Sequence, residues 1–152
     1  MLFPTHLVAA YLLGRWVQLP IVPLLIGAAL PDVIDKPLAM LGVVDLYHSI
    51  GHSLLALGLF AIVLMFGERW IAFWIGWASH LVLDVVQMVL NGRPEDSLFL
   101  LWPIVQHQPA VDLGPVQFAM YYVGTPAFWV EVGIWLLFFA IVLDAGYRKR
   151  GA

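Results

Sequence analysis

Residues 70–91, WIAFWIGWASHLVLDVVQMVLN, decide how this chain is read: an apolar stretch long enough to cross a bilayer carries His80 and Asp84 deep within it. At about 1.5 Å per residue such a helix reaches about 30 Å, the thickness of the hydrocarbon core. The i, i+4 spacing points both side chains from one helical face. Ionisable groups at that depth are costly, and they mark functional sites by default. An imidazole and a carboxylate so placed can hold a metal ion; the plainer role for the same pair is a hydrogen bond that fixes helix packing.

Composition agrees with a membrane setting. Of 152 residues, 62% are apolar and only 11% charged, with a mean hydropathy of +0.92, so there is too little polar surface to coat a soluble globule. An integral membrane protein is expected, folded as one domain over residues 1–152. Seven Trp supply material for interfacial belts. The one basic cluster, Arg148-Lys149-Arg150, reads as a topology signal, and nucleic acid is not an expected partner. Cysteine is absent, so any metal must rest on His, Asp and Glu. The N-terminus lacks the basic region of a cleavable signal, and His6 interrupts it early.

Outward from the central stretch, the apolar blocks predict an all-α, polytopic membrane bundle: an N-terminal helical hairpin followed by three longer helices. Gly14-Arg15, Pro20 and Pro23 break residues 5–30 near their middle, so 5–18 runs in and 21–30 returns as a short arm ending at Leu30-Pro31. Residues 52–66 form the next helix, Gly67-Glu68-Arg69 a tight turn, 70–91 the long helix and 126–146 the last span. Between the last two, 92–125 is rich in Pro and Gly and suits an interfacial loop or lid.

The hairpin sorts the charges. Arg15, Arg69, Arg148, Lys149 and Arg150 fall on one side, Lys36 and Arg93 on the other, so the positive-inside rule puts the C-terminus in the cytoplasm and the 92–125 loop outside. The outer side then collects His6, Asp32, Asp35, His48, His52, His80 and Asp84. A single span over 5–30 would instead set His6 opposite Asp32, so the convergence and the hairpin stand together. Imidazole nitrogen and carboxylate oxygen are ligands of catalytic zinc, manganese or iron, and one closed site needs about four of them. Seven ligands predict two divalent ions, zinc favoured, bridged by a carboxylate such as Asp32 and generating a metal-bound hydroxide that attacks a phosphoester. A site at membrane depth points to a lipid or lipid-linked phosphate as substrate. A metal-ion transporter and a non-catalytic, metal-stapled membrane scaffold are the alternatives.

The order PTHLVAAYLLG, GAALPDVID, HSIGHSLL, GWASHLVLD and LWP, over residues 4–103, resembles the LexA-regulated, membrane-bound metal-dependent hydrolases. More distantly, its His-x-x-x-Asp helix preceded by an Asp and a His is similar to the helical zinc-dependent phospholipase C and single-strand nuclease fold. The resemblance implies hydrolysis in a bacterial or archaeal cell membrane. Carried over by position, His6, Asp32, His52, His80 and Asp84 are the implied metal ligands. Asp35 and His48, whose spacings depart from the family pattern, are expected as catalytic proton carriers for the leaving alkoxide. The soluble fold's later His-x-x-x-Glu pair has Ala127 and Glu131 here, which points away from a third metal.

Several residues have simpler expected roles. Thr5 and Ser53 can cap helix starts, and Asp32 after Pro31 can serve as a turn residue. Glu131 is expected as a shallow interfacial carboxylate, His107 as a wet loop residue, and Asp45, Asp96 and Asp112 as loop solvators. Gly76, one turn before His80, is expected to admit a neighbouring helix closely.

Overall fold

The computed structural model describes residues 1–111 and 113–150, without the side chains of 149 and 150. Asp112 and the side chains of Lys149 and Arg150, read above as a loop solvator and topology charges, lie outside the described residues. The fold is all-helical, with no strand among the described residues. In chain order it comprises α1 (Phe3–Val17), α2 (Ile21–Met40), α3 (Leu54–Leu59) with a 3-10 extension (Phe60–Phe66), α4 (Glu68–Leu90), a 3-10 segment (Pro94–Leu101), α5 (Pro115–Tyr122) and α6 (Pro126–Arg150).

The N-terminal hairpin forms where the prolines predict it. Gln18 takes up the left-handed conformation (φ 58°) and its backbone N–H caps Gly14 O, so the chain reverses within three residues before α2 begins at Ile21. The returning arm is longer than expected. Rather than stopping at Leu30-Pro31, α2 carries Pro31 and Pro37 inside it and runs to Met40. Each proline removes one intrahelical hydrogen bond, but neighbouring structure can re-satisfy the freed groups, and packing holds the helix together. Asp32 and Asp35 therefore stand on a helix, three residues apart, both buried.

The helix expected over 52–66 is also different. Only Leu54–Leu59 is α-helical, started by Ser53, whose side chain accepts from Ala56 N at 3.0 Å. Beyond it, Phe60–Phe66 tightens to 3-10 geometry and buries none of its residues. Gly58 and the β-branched pair Ile62-Val63 are poor helix formers, and without burial nothing compensates them.

Among the described residues, two helices are long and apolar enough to cross a membrane, α4 with a mean hydropathy of 1.4 and α6 with 2.1. They are packed differently. The apolar window of α6 is only 11% buried in the protein, leaving Leu136, Leu137, Phe139 and Leu143 outward as a lipid-facing helix would. By contrast, α4 lies against α2 so closely that their backbones touch. A Cβ on Gly76 would stand 2.0 Å from Leu24 O, and one on Gly27 would stand 1.8 Å from Phe73 O. The close approach expected at Gly76 is thus matched by a second glycine across the interface. A small apolar core of Ala10, Leu24, Ala28 and Ala72 fills the junction of α1, α2 and α4.

On α6, Glu131 is buried within the protein. It is 3% exposed, accepting from Leu2 N and from Thr5 Oγ1, each at 2.7 Å. Thr5 lies inside α1 rather than capping it, and Glu131 reaches across to satisfy a donor that the helix start leaves free. Trp135 Nε1 completes the contact by donating to Thr5 Oγ1 at 3.1 Å.

A candidate metal centre between α1, α2 and α4

The close crossing of α2 and α4 brings the acidic end of one against the His-x-x-x-Asp turn of the other. His80 is fully buried, and its Nδ1 lies 2.7 Å from Ala28 O on α2, so the ring donates there and turns Nε2 inward. The loop after α2 folds back so that Gly51 presses on Pro31, which brings His52 over the same spot. Its Nδ1 lies 2.7 Å from Asp35 Oδ2. With both Nδ1 atoms committed as donors, the two Nε2 atoms face each other at 3.2 Å.

Two carboxylates complete the ring. Asp84 Oδ2 lies 3.1 Å from His80 Nε2 and 3.5 Å from His52 Nε2. Asp32 Oδ1 stands 3.5 Å from His52 Nε2 and 3.8 Å from His80 Nε2. A tetrahedral zinc with bonds of about 2.0 Å has ligand-to-ligand edges of about 3.3 Å. Five of the six edges run from 3.1 to 3.8 Å, and Asp32, His52 and His80 form a triad whose ligand atoms all lie within 4.8 Å of one another, so these donors suit such an ion in chemistry and spacing. Facing lone pairs at this distance repel unless a cation lies between them. A proton can serve: burial opposes charge on His52, but the bonds to Asp32, Asp35 and Asp84 outweigh it and hold its pKa up at about 10.

The remaining expected ligands flank this set. His6 stacks on His80 with ring centroids 3.7 Å apart, and its Nε2 lies 3.2 Å from Asp84 Oδ1. Met1 N approaches the same oxygen at 2.8 Å. Asp84 thus turns one oxygen to His52 and His80 and the other to His6. Asp84, rather than the expected Asp32, turns its two oxygens to different imidazoles, although each carboxylate also pairs with an ammonium, Asp32 Oδ2 with Lys36 Nζ at 2.6 Å. His48 packs edge-on against His52, 4.5 Å between centroids, with Nε2 3.9 Å from Asp84 Oδ2. Burial and the neighbouring His52 both lower its pKa, which keeps it neutral.

Asp35 does not fit the part of proton carrier. It is fully buried, and its two oxygens accept from Ser49 N, Gly51 N, His52 N and the His52 ring, which leaves none turned to the cluster. Its place is behind His52, as the carboxylate that fixes the ring of that candidate ligand.

Asp32, His48 and Asp84 floor a cavity of about 380 Å³. Phe99, Pro109, Leu113 and Phe118, from the 92–125 segment expected as an interfacial loop or lid, line the same cavity. Asp96 is no loop solvator: at 3% exposed it accepts from Arg93 Nη1 and from Ala110 N, and His107 Nε2 lies 3.3 Å away. His107 is tied to the lid by that contact. Sequence reasoning passed over Gln87, which also lines the cavity. The signal was there, since 80, 84 and 87 lie on one helical face.

An all-helical, strongly apolar chain with a buried His and Asp cluster defines a membrane protein carrying the donor set of a metal site. The chain belongs to the YdjM inner membrane protein family, which it matches over residues 1–150. Comparison with curated proteins and with solved structures finds no match.

Proposed function

We propose that this protein is a membrane-embedded, metal-dependent hydrolase that cleaves a phosphoester of a lipid or lipid-linked substrate. The observation that carries this reading is the pair of imidazole nitrogens, 3.2 Å apart, flanked by two carboxylates, Asp32 and Asp84, that themselves line a cavity. His52, His80, Asp32 and Asp84 would hold one ion; His6, with the second oxygen of Asp84, would contribute to another. Zinc is favoured by the near-tetrahedral edges, and manganese and iron use the same ligand types. When bound, such ions supply activation of water and stabilisation of charge on a phosphoryl oxygen.

The chain's own residues do the rest. Asp35 orients His52, and Ala28 O orients His80, so that both rings present Nε2. Neutral His48, which lines the cavity, is placed to take the proton lost by the attacking water and hand it to the leaving alkoxide, the part Asp35 is not free to take. The apolar lid residues exclude water and favour a substrate already in the bilayer. The cluster faces the outer side of the membrane in this reading, with the C-terminus in the cytoplasm.

Metal content and turnover test it together. Purified wild-type protein should carry metal and release product from lipid phosphoesters in a chelator-sensitive way. The double variant His80→Ala, Asp84→Ala should lose both. Equal metal content in the two proteins would end the ligand assignment, and metal uptake into sealed vesicles that depends on His80 would replace hydrolysis by transport.

A further inference from the structure

The wall of the 380 Å³ cavity changes character with distance from the metal donors. Next to Asp84, one helical turn on, Gln87 faces it; beyond the end of α4, so does Arg93. Gln87 is 3% exposed, and its amide Nε2 is buried with no hydrogen-bond partner among the described residues. Arg93 donates through Nη1 to the buried Asp96, which holds the guanidinium still, while its Nε is likewise buried and unpartnered. Buried polar groups almost always find partners, and each that does not calls for an explanation. Here both orphans are donors, and both belong to residues lining one cavity. They call for a ligand that brings acceptors. Lys36, which also lines the cavity, pairs with Asp32 and offsets that carboxylate. Met88, Phe99, Leu113 and Phe118 give the remaining wall an apolar lining suited to a hydrocarbon chain.

We infer that Gln87 and Arg93 form an anion-recognition subsite for the phosphate of an amphiphile, whose chain lies along Met88, Phe99, Leu113 and Phe118. Identifying that amphiphile as the substrate rests on the hydrolase reading; the binding itself does not. The Gln87 amide stands one turn along α4 from Asp84, so a phosphate held on it lies toward the proposed metal ligands, with Arg93 beyond the helix end on the same cavity. The guanidinium and the amide recognise phosphate oxygens by direction as well as charge. Neither recognises a cationic or purely apolar headgroup.

The test measures binding of decyl phosphate, inorganic phosphate and decanol to the full-length protein in a maltoside detergent with chelator present, by calorimetry. Decyl phosphate should bind at least about tenfold more tightly than either half-ligand, since it alone engages both walls. Gln87→Met removes the amide donor, and Arg93→Lys keeps a cation for Asp96 while removing Nε–H. Each should weaken decyl phosphate by about tenfold, the effect of one hydrogen bond to a charged group, and leave decanol unmoved. Gln87→Glu, which keeps the shape and adds a repelling charge, serves if the Met variant does not fold. Unchanged affinity in these variants, or decanol binding as tightly as decyl phosphate, would overturn the subsite. Inorganic phosphate binding as tightly as decyl phosphate would overturn the amphiphile and leave a soluble phosphate as ligand. Because chelator is present, a protein that never turns over can still pass. Conversely, metal-dependent turnover with KM unmoved in both variants would sink the subsite and spare the hydrolase.

Discussion

Asp35 and His52 divide one job between two side chains. The carboxylate accepts three backbone N–H groups as well as the ring, so a single buried residue both closes the loop after α2 and aims an imidazole. Asp35→Asn should keep the shape and lower metal affinity by about 10- to 100-fold without removing a ligand, as loss of an orienting partner does. A competitive titration with a chromophoric chelator measures this, and an unaltered affinity would show that His52 needs no such support. The pH dependence follows from the same ring. A metal at Nε2 must displace the proton that Asp32, Asp35 and Asp84 stabilise on His52 up to about pH 10. That competition weakens steadily as the pH rises and ends near 10. Apparent metal affinity should therefore climb with pH by about tenfold per unit for each displaced proton. A flat profile between pH 6 and 9 would exclude His52 as a ligand. At this scale the i, i+4 pair of His80 and Asp84 was readable in the sequence, because helical spacing alone puts them together. That Asp35 stands behind His52 and that Asp84 faces two ways was not, because both depend on which oxygen meets which neighbour.

Among the elements, α2 and α4 carry the site, and their glycines set its dimensions. With Leu24 O only 2.0 Å from where a Gly76 Cβ would lie, Gly76→Ala must push the helices apart or strain them. A loss of about 1–3 kcal/mol is expected, as for other overpacked positions. Unfolding in detergent should show it, together with weakened metal binding; a variant as stable as wild type would mean the crossing is looser than described. The contact of α1 with α6 makes a separate prediction. Glu131→Ala strands the Leu2 N–H and the Thr5 hydroxyl, which should cost about 1–3 kcal/mol. Retained stability there would point to other acceptors. The hairpin and the long fourth helix were legible from prolines and apolar length. The passage of α2 through Pro31 was not, since local propensity argues for a stop and only packing against α4 argues for continuing.

Across the whole molecule, ligands from three helices and one loop meet at a single spot, so a bound ion would tie together segments that are far apart in the chain. An ion that binds only the folded state stabilises it in proportion to the logarithm of its concentration over Kd. Adding chelator should lower the thermal midpoint of wild-type protein and leave that of His80→Ala, Asp84→Ala unmoved, as read by intrinsic tryptophan fluorescence. An equal response of both proteins would separate the cluster from any metal effect. Membrane character, helical class and the set of available donors all follow from composition and from spacings within one turn, properties each segment carries unaided. Whether Asp84 or Asp32 faces both ways, that Asp35 stands behind His52, and that Gln87 and Arg93 share a cavity come only from the packing. Such relations are set where backbones touch at Gly27 and Gly76 and where a lid closes, between residues that no local pattern connects.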